Sequence, residues 1–128
     1  MIYLDSSVAL AEILLETRRP DAGFWRQRLF ASRLLEYEVM NRLHVYRGGL
    51  FDHTRARDIL DSLILLDMSR EVLDRALSPF PVPVRTLDGL HLATAYRMRE
   101  RGVPVELASY DTRLLHAAAA LGLPAASL

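Results

Sequence analysis

The sequence predicts an α/β fold of three layers, with helices on both faces of a mostly parallel sheet of four or five strands. Three observations predict it. Short apolar runs alternate along the chain with longer segments of helical spacing. Residues that cap helices follow directly on those runs. The 128 residues, 51% of them hydrophobic, supply one core but not two, so residues 1–128 are expected to form a single domain.

The elements follow in order. Ile2-Tyr3-Leu4 is an apolar run ending at Asp5 and reads as a buried strand. Ser6 or Ser7 is placed to cap a helix carrying Val8, Leu10, Ala11, Leu14 and Leu15. Pro20-Asp21 reads as a helix start, followed by Phe24, Trp25, Arg28 and Leu29 at helical spacing. Phe30-Ala31-Ser32 is a weak strand, and Ser32 caps a helix from Arg33 to Arg47 that Gly48-Gly49 stops. Asp52 is placed to cap a helix from His53 to Leu65, with a strand over 65–68 behind it. Ser69 caps a helix to Leu77. Pro79, Pro81 and Pro83 stiffen a connector within the domain, since neither flank could close a core alone. Thr86 is placed to cap a helix ending at Arg101 before Gly102 and Pro104. Residues 105–108 read as a strand, 112–121 as a helix ended by Gly122, and 124–126 as an edge strand.

Composition excludes several classes of chemistry. The chain holds no cysteine, which removes disulfides, thiol catalysis and cysteine zinc sites. All 16 basic residues are arginine. With no lysine there is no Schiff base and no P-loop lysine. Sixteen acidic residues balance the arginines, so nucleic acid would have to be held by a local patch rather than a general basic field. The opening MIYLDSSVALAEILL has no basic region ahead of its apolar residues, and no apolar run approaches the ~20 residues of a membrane span, so a cytoplasmic location is expected.

In open parallel sheets the functional crevice lies beyond the carboxyl ends of the strands, at the switch in strand order. The residues expected there are acidic. Asp5 ends the first strand, Asp111 follows the fourth, Asp88 lies in the first turn after the proline connector, and Glu38 lies near the start of the helix after the second strand. Each has an ordinary structural reading. Acids in a first turn complement the helix dipole, Asp111 is placed to be a helix cap, and Glu38 is spaced to pair with Arg42. Asp5 is expected to have no routine structural duty. Together the four would cost several kcal/mol, since two carboxylates ~4 Å apart repel by about 4 kcal/mol at an effective dielectric of 20. Such a cluster needs protons or cations, and hard divalent ions with oxygen ligands, Mg²⁺ or Mn²⁺, suit it best.

The residues that carry these acids also resemble a known family. MIYLDSSVALAEILLE, S-x-L-x-x-x-E-V from Ser32 to Val39, LDGLHLATA from Leu87 to Ala95 and ASYDTRLL from Ala108 to Leu115 stand in the order and spacing of a PIN-domain ribonuclease, specifically the toxin of a VapBC-type toxin–antitoxin pair. The resemblance covers essentially the whole chain. It selects Glu38 over Glu36, and residues two apart on a helix point to roughly opposite sides. It implies that Asp5, Glu38, Asp88 and Asp111 form the catalytic site, with Asp5, Asp88 and Asp111 binding Mg²⁺ or Mn²⁺ and Glu38 ligating the ion or its water. It implies that Ser6 and Ser109 stand behind the ligands. The chain departs from the pattern at Gly89, where such toxins often carry alanine.

The activity implied is metal-dependent endoribonucleolytic cleavage of single-stranded or loop RNA, leaving a 5′-phosphate, with an antitoxin and a second copy of the chain as partners. Arg42, Arg85 and Arg113 lie near the acidic segments and are candidate RNA contacts. His91, three residues after Asp88, reads as a packed, hydrogen-bonded core histidine. Two other readings stand beside the nuclease. A phosphoacceptor receiver module also gathers aspartates at strand ends, but it needs a late lysine, which this chain lacks. A catalytically inactive PIN-like domain that binds RNA or protein would carry the same four acids.

Overall fold

The central strand is β1 (Ile2–Leu4), flanked by β2 (Leu29–Ser32) on one side and β4 (Glu106–Ala108) on the other. The fourth strand, β3 (Ile64–Leu66), pairs outside β2, giving the order β3-β2-β1-β4 with every pairing parallel. The computed structural model describes the whole chain, residues 1–128. The register sets Ile2 opposite both Leu29 and Glu106. The expected edge strand at 124–126 is a single parallel bridge, in which the Leu107 N–H donates to Pro124 O and the Ala126 N–H to Leu107 O, both at 2.8 Å.

Side-chain alternation along these strands builds two cores. Ile2, Leu4, Leu29, Ala31 and Ala108 face one layer of helices: α1 (Ser6–Ile13), α2 (Arg33–Val45) and α3 (Leu50–Ser62). Tyr3, Phe30 and Leu107 face the other, formed by α5 (Thr86–Glu100) and α6 (Thr112–Ala120), with α4 (Arg70–Leu77) packed on α5. Both faces are apolar, as a parallel sheet buried on two sides requires. Tyr3 and Phe30 are fully buried and meet edge to face at 5.2 Å, each contributing about 2 kcal/mol through burial.

The structure corrects several local expectations. The cap of α1 is Asp5, whose Oδ2 accepts the Ser7 N–H, rather than Ser6 or Ser7. The extended backbone of β1 runs directly into the helix, so the capping position falls on the last strand-end residue. Asp5 therefore has a structural duty after all. Pro20-Asp21 does not open a long helix. Asp21 accepts the Gly23 and Phe24 N–H groups and starts only a 3₁₀ turn, Phe24–Arg26. Gln27 is already extended and Leu29 is drawn into the sheet beside Ile2. Gly49, not Asp52, precedes α3, and Asp52 reaches back to accept the Gly49 N–H at 2.9 Å from inside the first turn. Arg85, not Thr86, occupies the cap of α5. Ser32, Ser69 and Asp111 cap α2, α4 and α6 as expected.

Candidate active site

Two successive strands, β2 and β3, step away from β1 in one direction and β4 returns to its other side, so the order switches between β1 and β4. A crevice of about 360 Å³ opens there, beyond the carboxyl ends of the strands. Asp5, Glu38, Asp88 and Asp111 all line it, together with Ser6, Ser7, Glu16, Arg42 and Arg85. Glu36 lines a different cavity, between α2 and α3, and pairs with Arg33 at 3.3 Å. About half a helical turn thus sends the two glutamates to opposite faces, as the helix period demands.

Asp5 is nearly buried at 6% exposure. Its Oδ2 accepts hydrogen bonds from Ser7 Oγ at 2.6 Å and Ser109 Oγ at 2.8 Å, besides the capping bond. All these donors meet one oxygen, so Oδ1 is left without a protein partner. The two hydroxyls also accept backbone N–H groups from the segment after β4: Tyr110 on Ser7 and Asp111 on Ser109. Ser7, which the sequence marks only as a possible helix cap, is therefore as much part of this corner as Ser109. Its signal was the pair of serines directly behind a strand-end aspartate.

Glu38 is held from two sides. Ser6 Oγ donates to Oε2 at 3.3 Å, and His91 Nε2 bonds Oε1. Ser6 thus supports Glu38 rather than Asp5. His91 is buried and hydrogen-bonded, as its position in the chain suggests, but its partner is a candidate site residue. On its other side His91 Nδ1 meets the Tyr3 hydroxyl at 2.7 Å.

Asp88 and Asp111 share one guanidinium. Arg85 Nε donates to Asp88 Oδ2 at 2.8 Å, and its Nη2 donates to Asp111 Oδ2. Asp111 also caps α6, with Oδ1 accepting the Arg113 and Leu114 N–H groups. Burial works to raise the Asp111 pKa, but the Arg85 bond and the two N–H groups outweigh it and hold the carboxyl below its ordinary value. Arg42 lines the crevice and stacks over the Tyr46 ring at 4.2 Å. Arg113 lies outside it, in an adjoining cavity shared with Arg85 and Asp88.

The family model described as PIN domain matches residues 2–120. The chain belongs to the PIN domain family. Ribonuclease VapC46 of Mycobacterium tuberculosis is 38% identical to this PIN domain over 129 residues, covering 95% of this chain and 93% of that protein. Ribonuclease VapC47 of the same organism is 28% identical over 134 residues, covering 99% and 96%. These matches over nearly full length put the chain on the VapC branch of the family. A toxin-antitoxin complex from Klebsiella pneumoniae contains a chain of the same fold, with a TM-score of 0.67, 20% identity and 88% of each chain covered.

Five carboxylates and two guanidinium groups line the crevice of this PIN domain, a local excess of negative charge in a chain of zero net charge. All the ligand atoms on offer are hard oxygens, which suits Mg²⁺ or Mn²⁺ and not softer ions. The unpartnered Oδ1 of Asp5, a crevice-lining residue, fits the same assignment. No three of the acidic or histidine side chains are grouped tightly enough to hold an ion as they stand. The place between Asp88 and Asp111 is filled by Arg85, a cation of the chain's own.

Proposed function

We propose that this PIN domain is a metal-dependent endoribonuclease, the toxin of a VapBC-type pair, hydrolysing RNA phosphodiester bonds in the crevice at the β1–β4 switch. The observation that carries the reading is the convergence of Asp5, Glu38, Asp88 and Asp111, from four separate segments, on that one crevice. The ribonuclease names of the two relatives support it.

Asp5, Asp88 and Asp111 would hold Mg²⁺ or Mn²⁺, with Glu38 beside them. Such an ion supplies an acidified water and neutralises charge on the phosphodiester. The chain's own residues do the positioning. Asp5 is fixed through Ser7 and Ser109, so its free oxygen has one direction. Glu38 is fixed through His91 and Ser6 and offers an oriented acceptor for a water proton. Arg85 and Arg42 stand at the crevice and would meet phosphate oxygens of the RNA. Were Arg85 to turn from Asp88 and Asp111 to the substrate, the two carboxylates would be free for the cation. A VapB-type antitoxin and a second copy of the chain complete the proposal as protein partners.

The test is to sequence the cleavage ends of total RNA after brief induction of the parent and of Asp5→Asn. New 5′-phosphate ends in the parent alone support the proposal. Equal cleavage by Asp5→Asn, or none by either chain, sinks it.

The bridging of Asp88 and Asp111 by Arg85 favours one second reading, a catalytically inactive domain that binds RNA or protein. Titration with Mn²⁺ by calorimetry separates the two. The enzyme binds the ion and Asp88→Asn weakens binding, whereas the inactive domain shows neither effect.

A further inference from the structure

We infer that Tyr3 orients Glu38 through His91, so that two residues with no access to the crevice set the direction of a carboxylate that works in it. The inference rests on the nuclease reading of that crevice. Tyr3 and His91 are positioning residues and touch neither substrate nor metal.

Tyr3 is fully buried and His91 is 1% exposed. The Tyr3 oxygen accepts the Ser32 N–H at 3.2 Å, which fixes one of its lone pairs at the end of β2. A phenol keeps its proton at neutral pH, and a buried one must give it to an acceptor. His91 Nδ1, at 2.7 Å, is that acceptor. An imidazole whose Nδ1 accepts carries its proton on Nε2. Nε2 faces Glu38 Oε1, so the proton lies between ring and carboxylate. Ser6 Oγ occupies the other oxygen, Oε2, at 3.3 Å. Both carboxylate oxygens therefore have a donor, and the plane of the group is set by α1 on one side and α5 on the other.

The opposite tautomer would turn a nitrogen lone pair toward Oε1 and push the carboxylate away. Glu38 itself disfavours that form, and the Tyr3 proton on Nδ1 closes it off from the other side of the ring. Packing alone does not call for this arrangement. Tyr3 already meets Phe30 edge to face, and an apolar trio would fill the same volume without three buried polar groups to satisfy. The chain runs from the backbone of β2 through β1 and α5 to α2, and it ends on Glu38.

Tyr3→Phe tests the inference, because phenylalanine keeps the ring contact and removes only the hydroxyl. Nitrogen NMR of the parent should show His91 protonated at Nε2 and bare at Nδ1. In Tyr3→Phe the tautomers should mix or reverse. The kcat for RNA should fall by between about 10- and 100-fold, the range for groups that orient a ligand from behind, with KM within about twofold. His91→Gln, whose amide can still donate to Glu38, should keep more activity than His91→Leu, and this pair decides the matter if Tyr3→Phe fails to fold. A parent with Nδ1 protonated, or a Tyr3→Phe chain with the parent's tautomer or kcat, overturns the inference. If the parent cuts no RNA, the nuclease reading falls, and the NMR comparison alone decides whether Tyr3 sets the tautomer that faces Glu38.

Discussion

The hydroxyl of Ser109 donates to Asp5 Oδ2 at 2.8 Å, tying the end of β4 to the end of β1 across 104 residues of sequence. Ser109 Oγ itself accepts the N–H of Asp111 at 2.9 Å. One small side chain thus holds two candidate ligands. Ser109→Ala should destabilise the fold by about 1–2 kcal/mol, the cost of leaving buried polar groups unpaired. It should also weaken Mn²⁺ binding by at least about 10-fold. Chemical denaturation and calorimetry check the two numbers, and an unchanged affinity would refute the coupling.

Arg85 holds Asp88 at 2.8 Å and Asp111 beside it, which makes it a competitor for any cation drawn to the pair. Arg85→Gln should therefore tighten Mn²⁺ binding severalfold while slowing RNA cleavage, since the substrate loses a phosphate contact. Weaker Mn²⁺ binding in the variant would mean that Arg85 supports the geometry of the carboxylates instead of competing for them.

Gly89 is buried in α5, where a Cβ would meet Phe80 at 3.4 Å and Val84 at 3.5 Å, both ordinary contacts. Gly89→Ala should stabilise the fold by about 1 kcal/mol through helix propensity alone. A thermal melt should show a midpoint a few degrees higher. A lower midpoint would show that Phe80 cannot yield the space.

Glu71 on α4 takes hydrogen bonds from Arg97 on α5 at 3.0 Å and from Arg101, the residue just after α5, at 2.9 Å. The Arg97 bond first, then the Arg101 bond, lower its pKa below the ordinary 4.5. A depressed carboxylate stabilises the fold above its unfolded pKa, and that contribution is lost as pH falls through the folded value. The pair is exposed, so the effect on stability is small and salt screens it. Side-chain NMR titration should find the Glu71 midpoint below 4.5 at low salt and closer to it in 1 M NaCl, where the Debye length is only about 3 Å. A midpoint at or above the ordinary value would remove the α4–α5 tie.

The sheet and most helices were legible because their signals are local. Ile2-Tyr3-Leu4 has no polar face to offer solvent, and Ser32, Ser69 and Asp111 cap helices wherever they precede a helical run. The failures lay where tertiary pairing overrode local preference. Leu29 belongs to β2 because Ile2 lies beside it, and that decides against the helix suggested by Phe24, Trp25 and Arg28. Asp52 fits a cap by composition, but the chain reaches helical geometry earlier, at Leu50, and Asp52 bonds backward to Gly49.

The candidate site divides the same way. The chain's order of residues fixed which carboxylates stand behind strands and first turns, and the absence of lysine and cysteine removed competing chemistries. Asp5, Glu38, Asp88 and Asp111 could be named from that order and from the family resemblance. Their partners could not. Ser7 and Ser109 meet on Asp5, Arg85 spans Asp88 and Asp111, and Tyr3 reaches Glu38 through His91 only after four segments fold together. Hydrogen bonds act over about 3 Å and are blind to distance along the chain. Local order was enough to point to the candidate acids, the layered fold and the family; which donor faces each acid depends on contacts between residues as far apart as Asp5 and Ser109, and those exist only in the folded chain.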